Sequence, residues 1–433
     1  MTVYLMSYFH RHFGLAMVLV AAESGASSPA HGVTPTAGPP ASQAAAPAPA
    51  ASARRVRLET MVRHGSGYVA QMDNGARAEL TLDPRLQEAA DDVLNTFQIP
   101  YGAAVVVSVP DGRVLALAGR SAVAPELGAE ELALQAWAPA ASIFKIVSAA
   151  ALVSEGGLTA ESRICYHGGV SSVLADNLVD MPRIDRACAT LGYGLGKSQN
   201  AIFAKLAARH LTPARLEHVG KAFGFGKDIP FEIPVERSHL DVPEDQLEFA
   251  RTAAGFWHST LSPLHGALVA AAIGNGGEMP APRIVERAFG SEGQPLRLPN
   301  TPGRTVMNAA AAREVGRMME LTTSIGTAKN TFTDRRGRPL LPVSVAGKTG
   351  TLSAETDKGY LGYSWFVGYA PAERPQIAFA VALGNRANWR IKATYVARRL
   401  VTEYLAGAGE GRPNRVLASA RPVPAKTSQP LSR

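Results

Sequence analysis

Two groups of strand-like segments stand far apart in this chain, and the stretch between them has a helical pattern. Residues 103–109 (AAVVVSV) and 113–118 (RVLALA) are short apolar runs separated by Pro110-Asp111-Gly112, which reads as a hairpin. The strand signal returns only after residue 340, at 343–346, at 363–369 (YSWFVGY) and at 377–383 (IAFAVAL). Between them, residues 142–153 predict a buried helix stopped by Gly156-Gly157. Residues 200–275 hold further helical stretches, AIFAKLAARH and PLHGALVAAAIGNGG, the last stopped by Asn275-Gly276-Gly277. Two helices border the strands: one opens at Asp83 as cap and Pro84 in the first turn and runs to about residue 97, the other covers 389–405. Early and late strands flanking a helical insert over about 150–310 imply an α+β fold whose single antiparallel sheet is assembled from both chain ends and flanked by helices.

Composition narrows the class. A chain of 433 residues with 46% hydrophobic and 18% charged residues has material for a full core, which excludes wholesale disorder. Its 41 Gly and 30 Pro show no G-x-y period and no longer repeat, which excludes collagen, solenoids and propellers. Five of the eight net positive charges lie in residues 411–433 and two more in residues 1–55, so the stretch between is nearly neutral. No aromatic-basic stripe or zinc-finger spacing accompanies them, and no nucleic-acid partner is expected.

The ends are expected to lie outside the fold. His10-Arg11-His12 precedes the apolar run 13–22 (FGLAMVLVAA), which closes on small residues, so 1–22 reads as a secretory signal peptide or short anchor. As a helix ten residues span about 15 Å, half of a hydrocarbon core of about 30 Å. Residues 23–55 form an Ala/Pro-rich linker, 56–410 the folded domain, and 411–433 a basic disordered tail. The expected location is exported, in the periplasm or on the extracytoplasmic face of the inner membrane. Two cysteines make neither a disulfide-dense scaffold nor a four-ligand zinc site. With an export signal and no other thiol, Cys165 and Cys188 are expected to bond to each other, the alternative being two buried free thiols.

Three short motifs carry chemistry. Ser142-Ile143-Phe144-Lys145 puts a hydroxyl and an ammonium at i, i+3 on one helix face, where a desolvated lysine can take the serine proton. The second is Ser198-Gln199-Asn200. The third, Lys348-Thr349-Gly350-Thr351, is placed directly after the predicted strand 343–346, where a cation and hydroxyls can hold a carboxylate and a glycine lets a backbone lie alongside. Gly196-Lys197-Ser198 and Gly347-Lys348-Thr349 mimic the end of a phosphate-binding loop, but Leu191 and Pro342 stand where that loop needs glycine. His258 and His265 have no partner at ligand spacing, so they read as surface or core histidines, and neither metal nor organic cofactor is expected.

Taken in order, S-x-x-K, S-x-N and K-T-G form the signature of penicillin-recognising enzymes. Together with Leu82-Asp83-Pro84, the hairpin 103–118, Trp137-Ala138-Pro139, Leu261-Ser262-Pro263, Gly326-Thr327-Ala328 and Trp365-Phe366-Val367-Gly368-Tyr369, the chain resembles the transpeptidase domain of penicillin-binding proteins over residues 78–405. That resemblance implies a β-lactamase/transpeptidase-like fold and a serine D,D-transpeptidase acting on D-Ala-D-Ala stem peptides of peptidoglycan through an acyl-enzyme. It implies Ser142 as nucleophile, Lys145 as base, Ser198 as proton relay and Asn200 on the substrate's peptide group. Lys348, Thr349, Gly350 and Thr351 would receive the terminal carboxylate, and the N–H groups of Ser142 and Thr351 would form the oxyanion hole. Implied partners are stem peptides, β-lactam antibiotics as covalent inhibitors, and cell-wall synthesis proteins. The alternatives are a D,D-carboxypeptidase, a β-lactamase-like hydrolase, and a non-catalytic β-lactam sensor or scaffold. Against the hydrolase stand Asn200, where class D enzymes usually carry valine, and the lack of an E-x-x-L-N stretch. Neither a glycosyltransferase module nor a large pedestal domain is expected ahead of residue 80. Two departures from the family stand out. Ala141 replaces the usual glycine before the nucleophile, asking only for an unstrained backbone there, and residues 189–197 are too glycine-rich for the helix the family tends to place there.

Overall fold

The computed structural model describes residues 55–356, 359–387 and 389–409. The expected signal segment, nearly all of the linker and the basic tail lie outside the described residues. The described residues open with three short strands that sequence patterning did not single out, β1 (Val56–His64), β2 (Gly67–Met72) and β3 (Arg77–Leu80). Next comes α1 (Pro84–Thr96), where the Asp83 carboxylate accepts from the N–H groups of Arg85 and Leu86 and Pro84 fills the first turn, as expected. The hairpin follows as β4 (Tyr101–Ser108) and β5 (Val114–Arg120).

The middle of the chain is mainly helical. It contains α2 (Lys145–Ser154), a two-stranded ribbon of β6 (Arg163–Tyr166) and β7 (Ala187–Thr190), then α3 (Leu191–Lys197) and α4 (Asn200–His210). Helices α5 (Pro213–Phe223), α6 (Gln246–Ala253) and α7 (Pro263–Gly274) complete it. In the ribbon Cys165 lies opposite Cys188 and the two form a disulfide, as the export reading expects. Strands β8 (Val285–Phe289) and β9 (Pro295–Leu296) return to β3, giving a sheet of order β1-β2-β3-β8-β9. After α8 (Ala309–Ser324) come the long strands β10 (Ala346–Thr356), β11 (Gly359–Ala370) and β12 (Ile377–Asn385), and α9 (Ala393–Gly409) closes the described fold.

The second sheet has the order β10-β11-β12-β4-β5, antiparallel throughout, so it is assembled from both chain ends as expected. Its two faces differ in the side chains they present. Phe379, Val381 and Leu383 join the core with α1 and α9, whereas Ala378, Ala380 and Ala382 face the other core. There α7, buried from Pro263 to Ile273, runs close beneath them, and a methyl at Gly266 would lie 3.3 Å from the Ala380 Cβ. Small residues on that face bring the helix near, and bulky ones on the other hold the flanking helices. Truncating Phe379, which has no exposed surface, to alanine costs about 3–5 kcal/mol by the cavity it leaves.

Two expectations need correction. The strand expected at 343–346 starts only at Ala346, where its ladder with β11 begins at the Ala346–Tyr369 pair. The third motif therefore lies within the strand rather than after it. Residues 191–197 do form a helix despite three glycines. A side chain at Gly194 would meet Ile202 at 2.8 Å and one at Gly196 would meet Leu321 at 2.8 Å, so close packing overrides the poor propensity.

Candidate active site

The first motif is shaped by a change of helix type. Ala141–Phe144 form a 3-10 turn and the α-helix begins at Lys145, rather than at Ser142. In a 3-10 turn residues i and i+3 eclipse. Ser142 and Lys145 accordingly stack, with Nζ 2.8 Å from Oγ. The backbone entering the turn is strained, since Ala141 has φ +50°, a left-handed conformation that costs a non-glycine residue about 1–2 kcal/mol. This corrects the expectation of an unstrained backbone before the nucleophile. Neighbours hold the turn in place: Trp365 Nε1 donates to Pro139 O at 3.0 Å and Ala140 N to Ser259 O at 3.0 Å. Gly255 backs onto it so closely that a Cβ there would lie 2.4 Å from Ala141 O.

Lys145 has no exposed surface. Its Nζ also lies 2.7 Å from Asn200 Oδ1 and 2.6 Å from Ala254 O, so its three hydrogen-bond partners are uncharged oxygens. Burial first, and then the Lys348 charge, hold this amine well below the usual lysine range. The second motif reaches the same place because α3 ends at Ser198 in a left-handed cap, φ +58°, and α4 begins two residues later at Asn200. The Asn200 Nδ2 donates to Val170 O at 3.0 Å.

The third motif comes from the sheet. Lys348, on β10 opposite Val367, is also fully buried, and its Nζ donates to Ser198 Oγ at 2.8 Å and to Thr349 O at 2.8 Å. Burial brings the Lys348 amine down to about 7. The Thr349 hydroxyl pairs with that of Thr327 at 2.6 Å, and the Thr327 N–H donates to Gly196 O at 3.0 Å, so Thr327 ties α3, which leads into the second motif, to the third motif. Gly350 and Thr351 follow on β10, with Thr351 exposed. Because β10 is an edge strand of its sheet, its free side borders the cleft without a neighbouring strand.

All three motifs thus meet, as two hydrogen-bonded groups, Ser142-Lys145-Asn200 and Ser198-Lys348. Sequence reasoning missed the carbonyls of Val170 and Ala254, which have no residue-type signal, and gave Thr327 no role although its triplet was singled out. Trp137 is half-buried and packs beside Tyr101 and Tyr363. His258 pairs with Glu248 at 2.9 Å, and buried His265 meets Phe223 O at 2.8 Å, so neither faces a metal-ligand set. Among the described residues no group of three or more His, Cys, Asp or Glu is placed to hold a metal ion.

Comparison with known proteins bears on the family and the fold. Residues 102–402 match the family described as penicillin binding protein transpeptidase domain. The peptidoglycan D,D-transpeptidase PbpA of Mycobacterium tuberculosis is 27% identical over 351 residues, covering 74% of this chain and 69% of that protein. The stage V sporulation protein D of Bacillus subtilis is 25% identical over 332 residues, covering 72% of this chain and 50% of its own. Among solved structures, penicillin-binding protein A of Mycobacterium tuberculosis is similar in fold with a TM-score of 0.62 at 23% identity, covering 77% of this chain and 83% of that one. The same protein as its penicillin G acyl-enzyme gives a TM-score of 0.59 at 23% identity, covering 76% and 81%. With the family's match running from the first strand of the two-ended sheet to its closing helix, and with all three motifs converging in one cleft, the chain belongs to the penicillin-binding protein transpeptidase domain family.

Proposed function

We propose that this protein is a serine D,D-transpeptidase that acts on the D-Ala-D-Ala end of peptidoglycan stem peptides through an acyl-enzyme at Ser142. The observation that carries the reading is the buried Lys145 amine 2.8 Å from the Ser142 hydroxyl, in hydrogen-bond contact with uncharged oxygens only. A neutral amine has two hydrogens and one lone pair. Asn200 Oδ1 and Ala254 O accept the two hydrogens, and the lone pair faces the serine proton. Lys145 takes that proton as Ser142 Oγ attacks the penultimate D-Ala carbonyl. The N–H groups of Ser142 and Thr351 receive the oxyanion.

On the leaving side, Ser198 and Lys348 form the path by which a proton reaches the departing D-Ala amine, supported by their 2.8 Å contact. The terminal carboxylate docks against Lys348, Thr349 and Thr351, with the substrate backbone lying along the edge of β10 past Gly350. Lys348, poised near 7, gains its charge when a carboxylate arrives. An amine of a second stem peptide then takes the acyl group from Ser142, giving up a proton to the Ser198–Lys348 path as Lys145 returns its own to Ser142 Oγ. β-Lactams enter the same cleft, their strained amide meeting Ser142 and their carboxylate the third motif.

The domain acts outside the cytoplasm in this reading, with residues 1–22 as export signal or anchor and 23–55 as tether. Among the described residues no helix is long and apolar enough to cross a membrane. Cell-wall synthesis proteins that supply glycan strands are its expected partners. Intact-mass spectrometry with benzylpenicillin tests the acyl-enzyme: a lasting gain of one drug mass that Ser142→Ala abolishes is expected, and rapid return to the free mass with drug consumption would make the protein a hydrolase. Incubation with a lipid-linked precursor under conditions of glycan polymerisation tests the acceptor. Cross-linked dimers are expected, and hydrolysed tetrapeptide alone would make it a carboxypeptidase.

A further inference from the structure

The loop that Cys165 and Cys188 close, residues 166–187, has no part in the reaction above, yet one of its carbonyls reaches the cleft. Val170 O accepts from Asn200 Nδ2 at 3.0 Å. A carbonyl cannot donate, so this contact fixes the sense of the Asn200 amide and turns its oxygen toward Lys145. Were the amide turned over, its NH2 would face Lys145 and compete for the lone pair that Ser142 needs.

Val170 cannot be held by burying its own side chain, which is 80% exposed; Leu174, Val179 and Ile184 of the same loop are exposed as well. The loop is fastened from beneath. Lys205, fully buried on α4, donates to Asp185 Oδ2 at 2.7 Å and to Cys165 O at 3.0 Å. Asp185 also pairs with His167 Nδ1 at 2.5 Å and accepts the Met181 N–H at 2.9 Å. From there the connection runs through Asn177, which donates to His167 O at 3.2 Å and accepts from Leu174 N at 2.9 Å. Gly169, next to Val170, backs onto Ala201 so closely that a Cβ there would lie 2.4 Å from the Ala201 Cβ. Lys205 and Asn200 share one helix, so the fastener and the amide it serves belong to one rigid element.

We propose that the disulfide-closed loop is a positioning element for the general base: joined at Cys165–Cys188 and fastened to Lys205, it keeps the Val170 carbonyl on Asn200 and thereby keeps the Lys145 lone pair on Ser142. This rests on Lys145 acting as base in acyl transfer. Lys348 is the charged group that faces Lys145, while Asp185, Asp180, His167 and Lys205 face one another under the loop and leave the cleft's charge unaltered. Releasing the loop wets the buried amine and raises its affinity for protons, so the rising limb of the acylation profile moves to higher pH.

The test uses the full chain and a fluorescent penicillin, with the limiting acylation rate and the half-saturating concentration measured against pH before and after treatment with dithiothreitol. Cys165 and Cys188 take up two electrons and two protons as the reagent leaves as its cyclic disulfide. The expected result is a roughly tenfold fall in the limiting rate with the half-saturating concentration unchanged, a rising limb moved to higher pH, and recovery of both on reoxidation. The variant Lys205→Met/Asp185→Leu, which keeps the disulfide and leaves neither charge unpaired, is expected to move rate and limb in the same direction. A lower melting temperature with an unchanged rate and pH profile would overturn the proposal and leave the loop a support for the fold. Absence of labelling in the oxidised protein would overturn the transpeptidase reading and this inference with it.

Discussion

Lys145 and Lys348 in the cleft and Lys205 beneath the disulfide-closed loop are equally buried, each with no exposed surface, yet they are put to opposite uses. In the cleft the partners are hydroxyls, an amide oxygen and backbone carbonyls. Burial there is uncompensated, so both amines give up protons readily. Under the loop Lys205 meets Asp185 at 2.7 Å and Asp180 at 3.2 Å. Burial pushes the Asp185 carboxyl up, but hydrogen bonds from Lys205, His167 and the Met181 N–H outweigh it and hold the group below the usual carboxylate range. An unpaired buried lysine is a base, and a paired one is a rivet. The backbone repeats the contrast: Ala141 and Ser198 of the cleft have φ of +50° and +58°, a sparsely populated region that tends to mark reactive sites.

Removing the cleft amine should give the largest effect. Lys145→Met is expected to slow acylation by penicillin about 1000-fold. Its melting temperature should hold or rise, because an uncompensated burial is relieved. A fall in stability with acylation preserved would erase the distinction between the two regions. Breaking the rivet should act chiefly on stability: Asp185→Asn leaves the buried Lys205 charge only the exposed Asp180 carboxylate and should cost about 3 kcal/mol in urea unfolding, beside the smaller fall in acylation rate expected of a released loop. Adding Asp185→Leu and Lys205→Met together should recover most of that loss.

Giving the cleft the loop's chemistry sharpens the contrast further. Asn200→Asp places a carboxylate beside Lys145, so the amine holds its proton, and acylation near neutral pH should fall about 10- to 100-fold and climb again as pH rises. The wild-type profile carries its own test. In the proposed mechanism acylation needs neutral Lys145, so it should rise as pH passes that amine's depressed range, and needs charged Lys348, so it should fall above about pH 7, about tenfold per unit at the limit. An acyl donor lacking the carboxylate should lose the falling limb only. The smallest effect concerns the strained turn. Ala141→Gly trades relief of about 1–2 kcal/mol against a backbone entropy cost of about 0.5–1 kcal/mol, so a net stabilisation of about 0.5 kcal/mol should show in the melt.

The proposed site's residues are legible in the sequence because serine, lysine and asparagine at fixed spacings are themselves the signal. The long strands at 103–118 and 363–383 are equally legible from their apolar runs. Strands β1 to β3 are not, because residues 56–80 are interrupted by charges and turn residues and no run of theirs is apolar throughout. Propensity misjudges 191–197, where contacts of Gly194 with Ile202 and Gly196 with Leu321 decide the outcome. It is silent on the positive φ of Ala141, in a turn against which Gly255 and Trp365 pack from distant parts of the chain. The carbonyls of Val170 and Ala254 are beyond any reading of residue types, since every residue has one. Asp185 and Lys205 read singly as surface charges, and only folding brings them together.

The pairing of β12 with β4, which sets Gly384 opposite Tyr101 and Ile377 opposite Ser108, also imposes a schedule. A ribosome adding about 5–20 residues per second needs roughly 15 to 50 seconds to go from one partner strand to the other. For most of that interval the edge of β4 that receives β12 stays unpaired and Lys348 has not been made, so the groups around Lys145 are incomplete. An exposed lysine keeps its proton, so Ser142 is an ordinary alcohol on an unfinished chain. On the proposed reading, Ser142 gains its full setting only when β10 and β12 join β4, so acylating chemistry waits for strands from both ends of the sheet.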